Sequence, residues 1–220
     1  MMRDTSRVGI LPVGTNLSHK QSTNAIVTVR WLHFLNNIVA TDETPICVKY
    51  TCKNMQTVTE FESSLRRLDV GRTKATTDEA ADVLADLISY PAVGTPIPFD
   101  GVSLPDEVTR SPTPAELNGA STGVTAARFA IASYGSIVIQ ATPDGTEPVS
   151  VFPDTHIAVV RGSDIVPGMS EAFERLATDI RAGHESAIVA TGPSATADMG
   201  ALVRGAHGPK AVHVVILTDQ

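Results

Sequence analysis

The loop between residues 191 and 209 holds the side chains of this sequence best suited to bind or transform a ligand. Small polar residues stand there between two apolar runs, which indicates that something approaches the backbone. If a short helix begins in this loop, near residues 195–204, its exposed N–H groups and positive end favour a phosphate or a carboxylate. Six residues are therefore candidates for binding a small anion: Gly192, Ser194, Thr196, Asp198, His207 and Gly208.

The same loop allows simpler interpretations. Asp198 in the first helical turn could satisfy the free N–H groups itself, so that the loop is only a capped helix start. A nucleophile, base and acid can be chosen as Ser194, His207 and Asp198, but closeness in sequence does not establish a catalytic triad. The segment lacks the Lys-Ser/Thr pair of a phosphate-binding P-loop, and Thr196 stands where a nucleophile elbow requires glycine.

The elements around the loop predict an α/β fold, in which a mainly parallel sheet carries helices on both faces. A turn at 143–145 favours a hairpin, Thr77 is the expected cap of its helix, and the pair 187–190 and 211–217 is expected to be parallel. The predicted helices lie in residues 59–68, 76–89, 113 onward (a capping box, TPAE), 124–133, 170–183 and about 195–204. The predicted strands are residues 136–142, 156–160, 187–190 and 211–217.

Charge and hydropathy narrow the class of protein. The net charge of −7 argues against a nucleic-acid partner, since phosphate backbones need a basic face. The longest apolar stretch, residues 25–39, is interrupted by Arg30 and His33 and is too short for a membrane span. We therefore expect a cytoplasmic protein. Its acidic residues and few lysines suit a cytosol of high salt, as in haloarchaea, or an ordinary acidic cytosolic protein.

The segment 1–54 differs in composition from the rest of the chain. It holds both cysteines (Cys47 and Cys52), the single tryptophan and six Lys/Arg against three Asp/Glu. Met55 then precedes an amphipathic stretch, as in a natural protein start. We therefore predict one domain at 55–220, preceded by a poorly ordered extension at 1–54 that is either a mis-assigned start or a regulatory arm.

Two stretches together resemble a known family. "GVTAARFAIASYGSIVI" (123–139) and "TGPSATADMGALVRGAHGPKAVHVVIL" (191–217), with "FPDTHIAVV" (152–160) between them, are similar to the LUD domain of lactate utilization protein C. The likeness runs from about residue 60 to the end. Matching positions of the first stretch are Gly123, Thr125, Ala130, Ile131, Ala132 and Gly135. Those of the second are Gly192, Pro193, Ser194, Thr196, Ala197, Asp198, Gly205, His207, Gly208 and Pro209.

The resemblance implies a fold related to ribose-phosphate isomerases, CoA transferases and formyltetrahydrofolate cyclo-ligases. It also implies a part in oxidising L-lactate to pyruvate, alongside iron–sulfur and cysteine-rich partner subunits. No cofactor is then expected in this chain, because residues 55–220 contain no cysteine. Gly135 and Ser136 join the candidate ligand-binding residues. The chain departs from the family at Ser133 and Tyr134, where members have an acid and a Ser/Thr, and at Gly200, where an acid is common.

Three hypotheses remain open at this point. The chain is a LUD subunit that binds a small anion or a partner and leaves electron transfer to other subunits. Alternatively, it is a stand-alone enzyme for a phosphorylated or carboxylated metabolite, of the isomerase, CoA-transferase or cyclo-ligase kind. In the third hypothesis it is an interaction subunit whose loop only turns the chain. The resemblance itself supplies no catalytic residue.

Overall fold

The computed structural model describes residues 46–184, 186–198, 201–205 and 207–220, with side chains from residue 54 onward except at 196–198 and 201–203. The α-helices of this part are α1 (Ile46–Arg67), α2 (Ala80–Leu87), α3 (Pro114–Gly119), α4 (Thr146–Val151) and α5 (Met169–Arg181). Its strands are β1 (Gly71–Ala75), β2 (Ala92–Gly94), β3 (Thr109–Arg110), β4 (Thr122–Ala126), β5 (Phe129–Ile131), β6 (Ser136–Gln140), β7 (Thr155–Arg161), β8 (Ile165–Val166), β9 (Ala187–Thr191), β10 (Ala195–Asp198), β11 (Ala201–Arg204) and β12 (Ala211–Leu217).

A six-stranded sheet forms the centre of the fold. Its strand order is β1-β12-β7-β4-β2-β3, and every neighbouring pair is parallel. A second sheet has the order β8-β5-β6-β9, and β10 pairs with β11 in an antiparallel hairpin. The predicted α/β class with a mainly parallel sheet is therefore confirmed.

Apolar side chains fill both faces of the six-stranded sheet, as expected for parallel strands that are covered on both sides. On one face α1 packs between the two sheets, and on the other face α2 covers the same strands. The first core includes Phe61, Leu65, Ala158, Val160, Val214 and Ile216. The second includes Leu84, Ile88, Ile157, Val159, Val215 and Leu217. None of the described helices is long and apolar enough to cross a membrane.

Helix α1 begins at Ile46 and runs without a break through Met55. Nine of its residues thus belong to the segment that the sequence separates from the domain. Residues 1–45 lie outside the described part of the chain, so the predicted extension stays a prediction.

The helix expected at about 195–204 is wrong. This segment forms the β10–β11 hairpin, in which Ala195 pairs with Arg204 and Asp198 with Ala201. The helix expected over 124–133 is also wrong, because β4 and β5 occupy that stretch. Between these two strands, the N–H of Ala127 bonds the carbonyl of Val159, 2.7 Å away. Distant strands thus supply the hydrogen bonds that a helix would have made locally.

Of three smaller predictions, one is confirmed, one is wrong and one is partly right. The capping box of α3 is confirmed, with the Thr113 hydroxyl and the Glu116 carboxylate each bonded to the other residue's N–H. The Thr77 cap is wrong: its N–H and hydroxyl bond the carboxylate of Asp219, so α2 begins only at Ala80. The turn at 143–145 exists, but it leads into α4 rather than into a hairpin strand.

Candidate functional site

The two ends of the predicted loop, residues 191–195 and 207–209, line a cavity of about 330 Å³ at the amino ends of β7 and β12. We call it the amino-edge cavity. Its polar lining combines the loop with side chains from α4, β7 and β9: Ser150, His156, Thr191, Ser194 and His207. Four of the eight predicted residues line it: Gly192, Ser194, His207 and Gly208.

Two backbone hydrogen bonds hold the loop against the segment before β12. The N–H of Ser194 donates to the carbonyl of Pro209 over 2.9 Å, and the N–H of Gly205 donates to the carbonyl of Ser194 over 3.0 Å. A Cβ at Gly208 would lie only 3.0 Å from the Cβ of Ser194. A side chain at 208 would therefore require Ser194 to shift.

The sequence predicts parallel pairing of 187–190 with 211–217, which would place the loop at a carboxyl edge of the parallel sheet, but the cavity lies at the amino edge. Strand β9 does precede the loop, but it pairs antiparallel with β6 in the second sheet instead of lying beside β12. The expected parallel pairing of 187–190 with 211–217 is therefore wrong. Since no helix begins in the loop, the helix-dipole argument for an anion no longer applies there.

The remaining predicted residues lie beside the cavity or along the hairpin. Thr196 and Asp198 belong to β10, and their side chains are outside the described set. Gly135 has a φ of +67° and lies against α1, where a Cβ would come within 3.0 Å of the Cβ of Ser64. Ser136 hydrogen-bonds the hydroxyl of Thr191 over 2.8 Å, and so touches the cavity wall from behind.

His156 is the most deeply buried polar group of the amino-edge cavity. It is 2 % exposed, and its Nε2 lies 2.9 Å from the hydroxyl oxygen of Thr125 on the neighbouring strand. Burial lowers the pKa of His156 to about 4, because the imidazolium form loses its hydration. The ring is therefore neutral at pH 7 and can exchange hydrogen bonds but cannot attract an anion by charge.

A second depression, of about 330 Å³, lies at the opposite edge of the six-stranded sheet. We call it the carboxyl-edge cleft. It opens where β2, β4 and β7 end, and β6 of the second sheet closes one side. Its main lining residues are Thr95, Pro98, Phe99, Arg128, Gln140 and Arg161.

The two arginines of the cleft have different partners. Arg128 meets Asp179 of α5 through both Nε and Nη2, at 3.1 and 2.8 Å, and this lowers the pKa of the carboxyl group. Arg161 bonds Asp164 through Nε alone, at 2.6 Å, and its guanidinium lies 5.1 Å from the ring centre of Phe99. Asp164 also bonds Arg175 at 3.1 Å.

Sequence reasoning missed this cleft. The sequence predicts Arg128 in a helix that does not form. Arg161 is not among the predicted site residues, although it directly follows the apolar run of β7. A charged residue at the carboxyl end of a buried strand is a signal that could have found it, because ligands collect at that edge of parallel sheets. Among the described residues, no three His, Cys, Asp or Glu side chains are grouped so as to hold a metal ion.

Comparison with known proteins identifies a family whose match includes the loop 191–209. A family model described as the LUD domain matches residues 82–217, more than half of the chain. The chain belongs to the LUD domain family. The match includes both strands that border the amino-edge cavity and both arginines of the carboxyl-edge cleft.

Several LUD relatives carry the name lactate utilization protein C. The protein from Deinococcus radiodurans is 34 % identical over 129 residues, which are 56 % of this chain and 59 % of that protein. The one from Bacillus subtilis is 31 % identical over 136 residues, 60 % of this chain and 54 % of that protein. This chain thus aligns with about half the length of these curated relatives.

A solved structure shares the fold. The crystal structure of a DUF162 family protein from Deinococcus radiodurans superimposes with a TM-score of 0.59 at 23 % identity, covering 74 % of this chain and 98 % of that one. At this identity the likeness concerns the fold.

Two of the LUD motif residues of the first stretch, Gly123 and Thr125, lie beside His156. Thr125 is its hydrogen-bond partner, and Gly123 pairs with it across the β4–β7 ladder. Of the positions that depart from the family pattern, Tyr134 is 53 % exposed, and the carbonyl of Ser133 accepts a bond from Arg67 of α1. Gly200 lies outside the described residues.

Proposed function

We propose that this chain is a non-redox subunit of an L-lactate utilization system, which oxidises lactate to pyruvate. One observation carries the proposal: the LUD model spans residues 82–217, and relatives named lactate utilization protein C are 31–39 % identical over alignments of 102–136 residues. Because the alignment spans about half of those relatives, their function is transferred here as a proposal only.

The electron carriers of the proposed system belong to partner subunits. Iron–sulfur clusters are held mostly by cysteine thiolates, usually four for each cluster. The sequence has two cysteines, and neither falls in the region that matches the LUD family. The partners proposed are the cysteine-rich and iron–sulfur subunits that the family resemblance implies, and the complex is proposed to work in the cytoplasm.

The proposed place for a small anion or a partner segment is the amino-edge cavity. Ser194 and His207 line it from a loop that two backbone hydrogen bonds hold in place. With no helix end to attract negative charge, a carboxylate there depends on direct hydrogen bonds, and the Ser194 hydroxyl and the His207 ring are the groups that could donate them. The neutral ring of His156 would accept or donate one further bond.

Growth of the native host on L-lactate as the carbon source tests this proposal. Deletion of the gene should abolish growth, and the wild-type gene should restore it. The double variant Ser194→Ala, His207→Ala should fail to restore growth, whereas His184→Ala should succeed, since His184 is another exposed histidine that lies outside the amino-edge cavity. Normal growth of the deletion strain on L-lactate would refute the proposal. A folded double variant that restores growth would refute only the site.

A second candidate is a stand-alone enzyme for a phosphorylated or carboxylated metabolite. The carboxyl-edge cleft favours it, because such clefts in parallel sheets are where small ligands bind. Turnover of such a metabolite by the purified chain alone, without partner subunits, would select this candidate over the first.

A further inference from the structure

The carboxyl-edge cleft lies where the chain changes its direction across the sheet. From β2 the chain continues to β3 on one side, whereas the next strand of this sheet after β4 is β7 on the other side. Thr95 directly follows β2, and Ala127 and Arg128 directly follow β4. A crevice between neighbouring strands whose connections leave in opposite directions is the general ligand position of open α/β sheets.

The two arginines of the crevice differ in how fully a carboxylate matches their charge. Asp164 is one carboxylate shared by two guanidinium groups, those of Arg161 and Arg175. The charge of Arg161 is therefore only partly matched by Asp164. Arg128 and Asp179 neutralise each other in a two-point ion pair. Asp144 adds an exposed carboxylate to the same cleft, so the incompletely matched positive charge is local to Arg161.

Contacts with Asp164 and Phe99 hold Arg161 in a position from which it can bind a ligand. Its side chain is 36 % exposed, it stacks on Phe99, and its ion pair with Asp164 uses Nε, so the two Nη groups are not part of that pair. An arginine that is already fixed by stacking loses little freedom when it binds a carboxylate or a phosphate. Gln140 on the facing strand adds a neutral amide to the same cleft.

The cleft also has an apolar floor. Phe99, Pro96, Pro98 and Ala126 line it, and its volume of about 330 Å³ is at the lower end of the range for small-molecule sites. One charged anchor beside an apolar floor fits a compact molecule with a single anionic group, and it does not fit a polyanion.

We propose that the carboxyl-edge cleft binds a small metabolite through its carboxylate or phosphate group, with Arg161 as the anchoring residue. This site is separate from the amino-edge cavity, and it does not depend on the proposed role in lactate utilization.

Titration of the purified full chain with two probes, L-lactate and inorganic phosphate, tests the proposal. Binding is followed by calorimetry at low ionic strength and by the NMR signal of the Arg161 Nε–H group. At least one probe should bind saturably and shift that signal, and the probe that binds identifies the anionic group. In Arg161→Gln the affinity should fall about tenfold or more, since a charged hydrogen-bond partner is lost.

Arg175→Gln is the matched control. Arg175 bonds the same Asp164, its side chain is 39 % exposed, and it lies over Phe129 at 5.7 Å, but it does not line the cleft. The affinity of Arg175→Gln for the bound probe should stay within about threefold of the wild type, since this variant keeps Arg161 as a charged hydrogen-bond partner. Equal losses in both variants would overturn the assignment to Arg161.

A second variant, Asp144→Asn, tests the proposal independently if Arg161→Gln fails to fold. Asp144 lines the cleft and is exposed, so Asp144→Asn leaves the core intact and removes a negative charge from the wall. Its affinity for the bound anion should rise, and the rise should shrink as salt is added. Absence of binding by both probes, or an unchanged affinity in Asp144→Asn, would overturn the proposal.

Discussion

Nε2 of His156 and Oγ1 of Thr125 lie 2.9 Å apart on neighbouring strands in the middle of the six-stranded sheet. Both side chains are almost fully buried, and the histidine also forms part of the wall of the amino-edge cavity. The pair therefore links the stability of the sheet to the shape of the cavity. Its titration should be visible in the pH dependence of unfolding.

Unfolding of the wild-type chain should become easier as the pH falls from about 6.5 to about 4. The folded pKa of His156 is lowered to about 4, so in this window the unfolded state binds the proton and the folded state does not. The stabilising contribution is complete above the unfolded pKa. Between pH 7 and pH 5 it should decrease by about 2 kcal/mol, as measured by urea denaturation.

The variant His156→Gln isolates this contribution, because glutamine keeps a polar partner for Thr125 but does not titrate. Burial also lowers the pKa of His213, which bonds Thr73 and therefore contributes in the same direction. The loss of stability between pH 7 and pH 5 should be smaller in His156→Gln than in the wild type. An identical loss in both proteins would show that His156 does not titrate as the structure implies.

Gly123 should not tolerate even a methyl group. It belongs to the family motif, and a Cβ there would overlap the carbonyl oxygen of Val149 in α4 and lie 2.9 Å from Cγ of Pro153. Gly123→Ala should lower the free energy of unfolding by about 1–3 kcal/mol, the usual cost of overpacking.

Gly119→Ala is the control for that change. Gly119 ends α3 with nothing within 4 Å of its would-be Cβ. Its thermal midpoint should equal or exceed that of the wild type, since alanine favours helix. Equal midpoints for Gly123→Ala and the wild type would mean that α4 does not press on β4.

The ion pair between Arg128 and Asp179 should hold α5 against the turn that joins β4 and β5. The Asp179 side chain is 10 % exposed and that of Arg128 is 46 % exposed. Asp179→Asn should destabilise the chain by about 1–2 kcal/mol, reduced from the value for a buried pair because Arg128 is half solvated.

Chemical denaturation at pH 7 measures this effect. The contribution of this ion pair to the stability of the wild type should vanish in acid, as the pH falls through the lowered pKa of Asp179. Glu174→Gln, at an exposed position of the same helix, should change the stability by less than about 0.5 kcal/mol. Similar effects from both substitutions would show that the ion pair contributes nothing specific.

Sequence patterns could predict four of the described strands, β6, β7, β9 and β12, but not all of their partners. The apolar run of β12 is matched residue for residue, since a mostly β-branched run that glycine and proline precede has few alternatives. The stretch 124–133 was misread because strands buried on both faces show no alternation, and its alanines favour helix. The N–H groups of Ala127 and Arg128 donate to carbonyl groups of β7 and β6, and no local sequence pattern reveals these bonds.

The sequence also predicts only part of the candidate site. The glycine and proline spacing predicts a ligand-binding loop at 192–208, and the structure brings four of its candidate residues to one cavity. The place of His156 at the start of a predicted strand allows it to face the same cleft, but only the pairing of β7 with β12 brings it there. The carboxyl-edge cleft was hidden for the same reason, since Arg128 and Arg161 meet there only through the sheet order.

Affinity purification of the chain from its native host, with iron analysis of the eluate, tests the proposed role in lactate utilization most directly. The proposal predicts that cysteine-rich and iron–sulfur subunits co-purify, that iron is present in the complex and absent from the isolated chain, and that the complex oxidises L-lactate to pyruvate. A chain that elutes alone, without iron-containing partners and without any L-lactate oxidation, would contradict it.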